Sequence, residues 1–200
     1  MKKLPQIILA SGSPRRSSLM RLLRVDFSVV VSKAEECDAS HFTPHEVCQL
    51  NAHRKARAVA KHHPDALVIG ADTEVALDTE IFGKPGDKKK AEEMLLRLEG
   101  KTHEVVTGVC LLQLRNHQER LFTVSTRVKF HPLNRKQVRE YLKDINPMDK
   151  AGAYAIQEHG ELLVESIDGS LTNVVGLPVE ALREELAKWS GKVLAGGWRE

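Results

Sequence analysis

The chain has 200 residues, a length that favours one domain, and its 42% hydrophobic and 28% charged content is typical of a globular protein. With a formal net charge of +3 and only 4% aromatic residues, it lacks the basic surface and stacking residues of nucleic-acid-binding proteins. No apolar stretch is long enough to cross a membrane or to act as a signal peptide. We therefore expect a cytoplasmic protein that binds an anionic small molecule rather than nucleic acid or a membrane.

The first predicted strand, Gln6–Ala10, runs into a turn at Ser11 and Gly12 and then into a helix that begins at Pro14. Ser13 is a good N-cap, and proline at the first helical position loses no hydrogen bond. Free N–H groups and the positive end of the helix dipole would suit a phosphate group there, and Arg15 and Arg16 add guanidinium donors. The alternative is an ordinary solvated helix start.

Helices and strands alternate along the rest of the chain, with hairpins in the second half. The predicted helices cover residues 14–24, 44–62, 88–98, 134–145 and 178–189. The predicted strands cover residues 6–10, 27–31, 66–69, 105–114 and 121–130, and two short strands flank Asp168–Ser170. This order predicts an α/β fold with a mixed sheet flanked by helices, in one domain over residues 1–190. Residues 191–200 are expected to form a poorly ordered tail.

Asp72 follows the apolar strand 66–69 closely, at the place where open α/β sheets bind ligands. A carboxylate there can bind Mg²⁺ or activate a water, although a turn-forming aspartate is the alternative. Glu36 follows the second strand, and the two acids together would suffice for Mg²⁺ if the fold brings them together.

Two lysines are candidate phosphate ligands. Lys84 is displayed by the rigid loop Gly83–Gly86, and Lys55 lies on the second helix beside Arg54 and Arg57. A solvated basic helix face is the alternative for Lys55. Further on, Gln157 ends a segment of small residues, and its amide can both donate to and accept from a nucleobase edge. A loop that leads into a strand is the alternative there.

Two other motifs do not meet the requirements of the binding sites that they resemble. Gly100–Thr102 resembles the end of a P-loop, but position 95 is leucine instead of glycine. A zinc site at Cys37, His41, His45 and Cys48 lacks a C-x-x-C knuckle and straddles a helix start.

Five segments, in order along the chain, resemble the Maf family of nucleoside triphosphate pyrophosphatases, also called septum-formation inhibitor proteins. These segments are Leu9–Arg16, Ile69–Thr73, Gly83–Pro85, Asp149–Gln157 and Val175–Pro178. The resemblance implies an elongated, twisted mixed sheet similar to that of inosine triphosphatases, with a cleft between two lobes. It also implies hydrolysis of a nucleoside triphosphate to the monophosphate and pyrophosphate with Mg²⁺ or Mn²⁺, and a homodimer.

The resemblance further implies roles for individual residues. Asp72 matches the proton acceptor of the family, and Glu36 matches an acidic residue near the metal; whether Asp72 acts as a base or as a metal ligand stays open. The phosphate-binding positions of the family match Ser11, Arg15, Arg16, Lys55 and Lys84, and the helix start adds Ser13 to them. The positions associated with substrate choice are Arg15, Thr73 and Gln157.

Pro14, Thr73 and Gln157 are similar to the dTTP/UTP subgroup of the family, whereas the 7-methyl-GTP subgroup differs at these places. Ala155 and Glu158 depart from the dTTP/UTP pattern, because glycine is frequent at both positions, and they bear on nucleotide preference more than on the reaction. A 7-methyl-GTP pyrophosphatase and a nucleotide-binding regulator of septum formation without turnover are the alternatives.

Overall fold

The computed structural model describes residues 5–37 and 41–190, so the predicted tail lies outside the described residues. The strands are β1 (Ile7–Leu9), β2 (Phe27–Val29), β3 (Leu67–Leu77), β4 (Glu80–Phe82), β5 (Thr102–Gln113), β6 (Gln118–Phe130) and β7 (Val164–Asp168). The helices are α1 (Pro14–Arg21), α2 (Pro44–Ala60), α3 (Lys88–Leu98), α4 (Arg135–Asp144), α5 (Leu171–Val175) and α6 (Val179–Ser190). Short 3₁₀ turns lie at Leu114–Asn116, Pro147–Asp149, Ala151–Ala153 and Gly160–Leu162.

Within the described residues the strands form one seven-stranded sheet in the order β2-β1-β3-β5-β6-β7, and β4 pairs with β3. Strand β1 is parallel to both β2 and β3, and the other pairs are antiparallel. The predicted mixed α/β class is therefore confirmed. Parallel pairing is confined to the N-terminal strands, which are joined through α1 and α2. Two of the antiparallel pairs, β3–β4 and β5–β6, are hairpins.

Strand β3 is much longer than predicted. It continues to Leu77 because β5 supplies an antiparallel partner from Val68 to Ala76. The prediction that Asp72 follows the end of its strand is therefore wrong, since Asp72 lies inside β3 opposite Gly108. The parallel neighbour β1 has already ended at Leu9, so Asp72 still lies beside the end of a parallel strand.

The prediction of a second short strand, directly after Asp168–Ser170, is also wrong. Residues Leu171–Val175 form helix α5 instead, and the Ser170 hydroxyl caps it by accepting from the Asn173 N–H. The buried Asn173 side chain donates to the Val105 carbonyl and to the Thr126 hydroxyl. These hydrogen bonds hold α5 against β5 and β6. Local secondary-structure propensity does not indicate such distant partners.

Helix α2 lies unusually close to the sheet at two glycines. A Cβ atom on Gly70 would lie 2.2 Å from the Ala52 carbonyl oxygen, and one on Gly108 would lie 2.4 Å from the Cys48 carbonyl oxygen. The capping box at Thr43 and Glu46 fixes where this helix begins. The close approach places the side chains of α2 directly over the centre of β3.

A buried histidine lies among the aromatic residues of the core near β6. The His103 ring makes edge contacts with Phe130 and Tyr154, and its Nε2 atom shares a 2.9 Å hydrogen bond with the Tyr154 hydroxyl. The Nδ1 atom is buried and has no hydrogen-bond partner among the described residues. Burial lowers the pKa of His103 from 6.5 to about 4, so the imidazole is neutral in the folded protein.

This histidine makes folding sensitive to acid. Between pH 6.5 and about 4 the unfolded chain binds a proton that the folded chain excludes. The contribution of neutral His103 to the free energy of unfolding is therefore fully present above pH 6.5 and is lost as the pH falls. We expect His103 to account for a loss of about 2 to 3 kcal/mol in the free energy of unfolding between pH 7.5 and 4.5. Urea unfolding of wild type and His103→Gln at both pH values measures it. An equally steep loss in His103→Gln would contradict the assignment.

Candidate active site

A cleft of about 830 Å³ opens where α1, the middle of β3, the loop after β4 and the segment before β7 meet. Every site residue predicted from the sequence lines this cleft: Ser11, Ser13, Arg15, Arg16, Glu36, Lys55, Asp72, Thr73, Lys84 and Gln157. The fold thus brings together residues that lie up to nearly three quarters of the chain apart. Their chemical roles depend on the contacts between them.

The N-terminus of α1 has the expected anion-binding form. Pro14 occupies the first helical position, and the Ser13 hydroxyl accepts from the Arg16 N–H at 3.5 Å. The Ser11 hydroxyl accepts from the Ser13 N–H at 3.2 Å, which tightens the turn that enters the helix. The helix dipole therefore presents its positive end to the cleft, where it favours negative charge.

The two arginines of α1 have different partners. Arg16 donates to the Gly176 carbonyl at 2.9 Å, to the Thr73 hydroxyl at 3.0 Å and to the Ser11 hydroxyl at 3.5 Å. Burial lowers the pKa of its guanidinium, and the negative charge of Asp72 opposes that change. All three hydrogen-bond partners of Arg16 are neutral, so they orient its positive charge without neutralising it.

Arg15 instead pairs with an acid from the far side of the cleft. Its guanidinium donates to the Asp149 carboxylate at 2.9 Å and to the Asp149 carbonyl at 3.1 Å. Burial would raise the pKa of Asp149, but hydrogen bonds from Lys150 and Arg15 outweigh it and hold the pKa below its ordinary value. This pair ties α1 to the segment that carries Gln157.

Asp72 is buried at the centre of the cleft floor and accepts two hydrogen bonds. The Lys55 ammonium donates to Oδ1 at 2.6 Å, and the Asn51 amide donates to Oδ2 at 3.0 Å. The side-chain oxygen Oδ1 of Asn51 in turn accepts from the Cys37 N–H at 2.8 Å, which fixes the orientation of the side-chain amide. Sequence reasoning missed Asn51, although its i, i+4 spacing with Lys55 places both on one face of α2.

Glu36 completes a network around Lys55. The Lys55 ammonium lies between the two acids, since it also donates to Glu36 Oε1 at 2.8 Å, and Lys84 lies 3.6 Å from the same oxygen. Burial would raise the pKa of Glu36, but the hydrogen bond and charge of Lys55 and the charge of Lys84 hold it below its ordinary value. Glu36 and Asp72 are thus brought together as the sequence required, with a lysine between them.

Glu74 is a third acid that sequence reasoning missed. It lines the cleft, and its Oε2 atom is buried without a hydrogen-bond partner among the described residues. Burial, followed by the negative charges of Asp72 and Glu36, raises the pKa of Glu74 to about 8. The signal was the strand alternation, because residues 72 and 74 of one strand face the same side.

The chemistry of these acids fits a divalent cation. Mg²⁺ takes oxygen ligands and is usually held by one or two carboxylates, with waters and substrate phosphates completing its shell. Asp72 and Glu36 supply such oxygens, and the buried Oε2 of Glu74 has no donor of its own. In the part of the chain that the structure describes, no group of three or more His, Cys, Asp or Glu side chains is placed to hold a metal ion, so oxygens from water and substrate would have to complete the shell.

The sequence pattern of the family described as "Maf-like protein" matches residues 6–189. The chain belongs to the Maf family. The parts of the chain that resemble Maf proteins meet at the cleft, through residues 10–16, 72–75, 83–84, 148–151, 154–157 and 174–176. Among the described residues, no helix of this Maf protein is long and apolar enough to cross a membrane.

Three curated relatives carry the name dTTP/UTP pyrophosphatase. The protein from Symbiobacterium thermophilum is 44% identical over 96% of this chain and 98% of its own length. The Bacillus velezensis protein is 44% identical over 94% and 98%, and the Akkermansia muciniphila protein is 44% identical over 88% and 92%. A solved structure of a HAM1 protein from Coxiella burnetii is 13% identical with a TM-score of 0.44, covering 64% of this chain and 73% of that chain. That likeness is too weak to support an assignment.

Proposed function

We propose that this Maf protein is a nucleoside triphosphate pyrophosphatase that hydrolyses dTTP and UTP to the monophosphate and pyrophosphate. The relatives that match nearly its whole length carry that activity in their names. The observation that carries the proposal is the pairing of Asp72 and Glu36 through Lys55 on the floor of a cleft that also contains the unneutralised Arg16 and the α1 N-terminus.

The phosphate end of the substrate would lie over α1. Water attacks the α-phosphorus, the bond from that phosphorus to the bridging oxygen breaks, and pyrophosphate leaves. Such a reaction needs positioning and charge stabilisation more than covalent chemistry. We assign that task to Ser11, Ser13, Arg15, Arg16, Lys55 and Lys84, whose donors line the cleft.

Asp72 would orient the attacking water or help to hold the cation. Lys55 and Asn51 each donate to one of its oxygens, so the carboxylate is fixed in one orientation and keeps lone pairs for a further partner. Mg²⁺ or Mn²⁺, held by Asp72 and Glu36, would neutralise phosphate charge and acidify a bound water.

The base end would lie at residues 154–157. The exposed Gln157 lines the cleft, and its amide matches the adjacent donor and acceptor of a thymine or uracil edge. The Thr73 hydroxyl contacts Arg16, Thr107 and the Gly176 carbonyl, so its influence on substrate choice would act through the position of Arg16. Arg15 would influence substrate choice through its pair with Asp149.

A cytoplasmic location and a homodimer also stay proposals. The homodimer rests on the resemblance to the family, and light scattering of the purified chain would determine the oligomeric state. A mass of about one chain, 22.3 kDa, would exclude the dimer.

Pyrophosphate release from a panel of nucleoside triphosphates tests the activity. We expect dTTP and UTP to be cleaved faster than purine nucleotides, including 7-methyl-GTP, and expect EDTA to stop the reaction until Mg²⁺ or Mn²⁺ is added. Release of orthophosphate with a nucleoside diphosphate would contradict the proposed bond cleavage. Tight nucleotide binding without pyrophosphate release would instead favour a nucleotide-binding regulator. The acids at the cleft floor argue against that outcome, because a pure binder does not need them.

A further inference from the structure

Residues 154–157, which we call the base-side segment, form one wall of the cleft. They belong to no strand or helix, so no backbone ladder fixes them. Tyr154 and Ala155 are nevertheless buried, at 6% and 8% exposure. The position of this wall therefore depends on the side chains packed behind it.

One buried hydroxyl group bonds both polar groups of the Ala155 main chain, and the Glu158 N–H closes a turn onto the same carbonyl at 3.3 Å. The Tyr141 hydroxyl accepts from the Ala155 N–H at 3.1 Å and donates to the Ala155 carbonyl at 3.3 Å. Tyr141 lies on α4, is 1% exposed and is not part of the cleft lining. It contacts the base-side segment from behind and does not reach a nucleotide in the cleft.

The neighbouring residue is anchored from a second direction. The Tyr154 ring packs edge-on against Phe130 and His103, and its hydroxyl bonds His103 on β5. The base-side segment is thus held at two consecutive residues by two different elements. Only Ile156 and Gln157 extend beyond these anchors, so their placement follows from the main chain of Ala155.

We propose that Tyr141 is a positioning residue that sets nucleobase selectivity by fixing the main chain of Ala155, an inference that rests on the proposed function. Because both polar groups of the Ala155 main chain bond Tyr141, they are not available to the nucleotide. Recognition of the base then belongs to side chains, above all to the Gln157 amide. A shift of this wall moves that amide away from the base and weakens base binding, while the phosphate-binding groups on α1 keep their places.

Tyr141→Phe tests this inference, because it removes the hydroxyl and keeps the ring in the core. We expect KM for dTTP to rise about tenfold with kcat within about threefold of wild type, and the preference for UTP over ATP in kcat/KM to fall about tenfold. Inorganic tripolyphosphate has no base, so its inhibition constant should stay unchanged. A merely structural role would weaken tripolyphosphate and dTTP together.

Val138→Ala is the matched control, since Val138 is buried one turn earlier on α4 and its truncation loosens packing without removing a hydrogen bond to Ala155. We expect that variant to lose stability and to keep both KM and the base preference. Each variant is assayed at the same number of degrees below its own unfolding temperature. Equal losses of tripolyphosphate and dTTP affinity, or an unchanged base preference in Tyr141→Phe, would overturn the proposal.

Binding without turnover separates this inference from the proposed function. A dTTP analogue with a methylene bridge between the α- and β-phosphates is titrated calorimetrically into wild type and Tyr141→Phe. If wild type binds the analogue but releases no pyrophosphate from dTTP, the pyrophosphatase proposal fails and a tenfold weaker binding in Tyr141→Phe still supports the positioning role. If wild type binds tripolyphosphate as tightly as the analogue, the base-side segment reads no base and the positioning proposal is overturned.

Discussion

Asp72→Asn is expected to reduce kcat for dTTP by about a thousandfold or more, because the floor of the cleft loses the carboxylate that orients the water or holds the cation. The amide has the same shape but no charge. Its oxygen can still accept from Lys55, whereas its NH₂ group would then face the Asn51 amide, which is held in place by the Cys37 N–H. The defect therefore combines lost charge with two opposed donors. Pyrophosphate release under saturating dTTP measures it.

Nucleotide binding should survive in Asp72→Asn. Arg16, Lys84 and the α1 N-terminus remain, and removal of a negative charge does not disfavour a triphosphate. Asp149→Asn makes the same chemical change at an acid that contacts Arg15, and we expect it to raise KM more than it lowers kcat. If Asp72→Asn kept kcat within tenfold of wild type, Asp72 would have no central part in the reaction.

The elements that the sequence predicted well are those with local signals. Polar caps at Ser13, Thr43, Asp87 and Asn134 precede helices that begin where expected, because a cap satisfies backbone donors within three residues of itself. The β5–β6 hairpin also follows from two apolar runs around a polar turn. Such features depend on neighbours in sequence and need no knowledge of the fold.

The errors arose where pairing partners are distant. Strand β3 extends through Asp72 because residues from Val105 to Leu112 lie beside it, and α5 replaces an expected strand because Asn173 bonds β5 and β6. An isolated segment has no information about either partner. The residues that line the cleft were predicted better than the contacts between them. Residue types indicate chemistry, but they do not indicate which side chains form hydrogen bonds with each other.

Lys55 illustrates that difference. The sequence placed it among the phosphate ligands or on a solvated helix face, and in the structure its ammonium bridges Glu36 and Asp72. The bridge depends on how closely α2 approaches β3. That distance is set by Gly70 and Gly108, where the absence of a side chain lets the helix approach the sheet. A glycine carries no chemical group that would indicate such a role in the sequence.

Gly70→Ala should therefore damage both stability and activity. The new Cβ would lie 2.2 Å from the Ala52 carbonyl oxygen and 2.7 Å from the Ala56 nitrogen, and helix backbone atoms cannot rotate away as a side chain can. Relief requires α2 to move outward as a unit, which costs about 3 kcal/mol in the free energy of unfolding. Urea unfolding measures the stability, and pyrophosphate release from dTTP measures the activity of the remaining folded protein.

The loss of activity has a specific cause. Asn51 and Lys55 lie on the part of α2 that faces Gly70, so an outward shift withdraws both donors from Asp72 while the cations of α1 stay in place. We expect kcat to fall more than the affinity for tripolyphosphate. Gly86→Ala is the matched control, because no atom lies within 4 Å of its new Cβ, and it should change stability by less than about 0.5 kcal/mol. A Gly70→Ala protein with wild-type stability and kcat would mean that α2 can shift without losing its donors, and the distance between helix and sheet would then not explain how Asp72 is positioned.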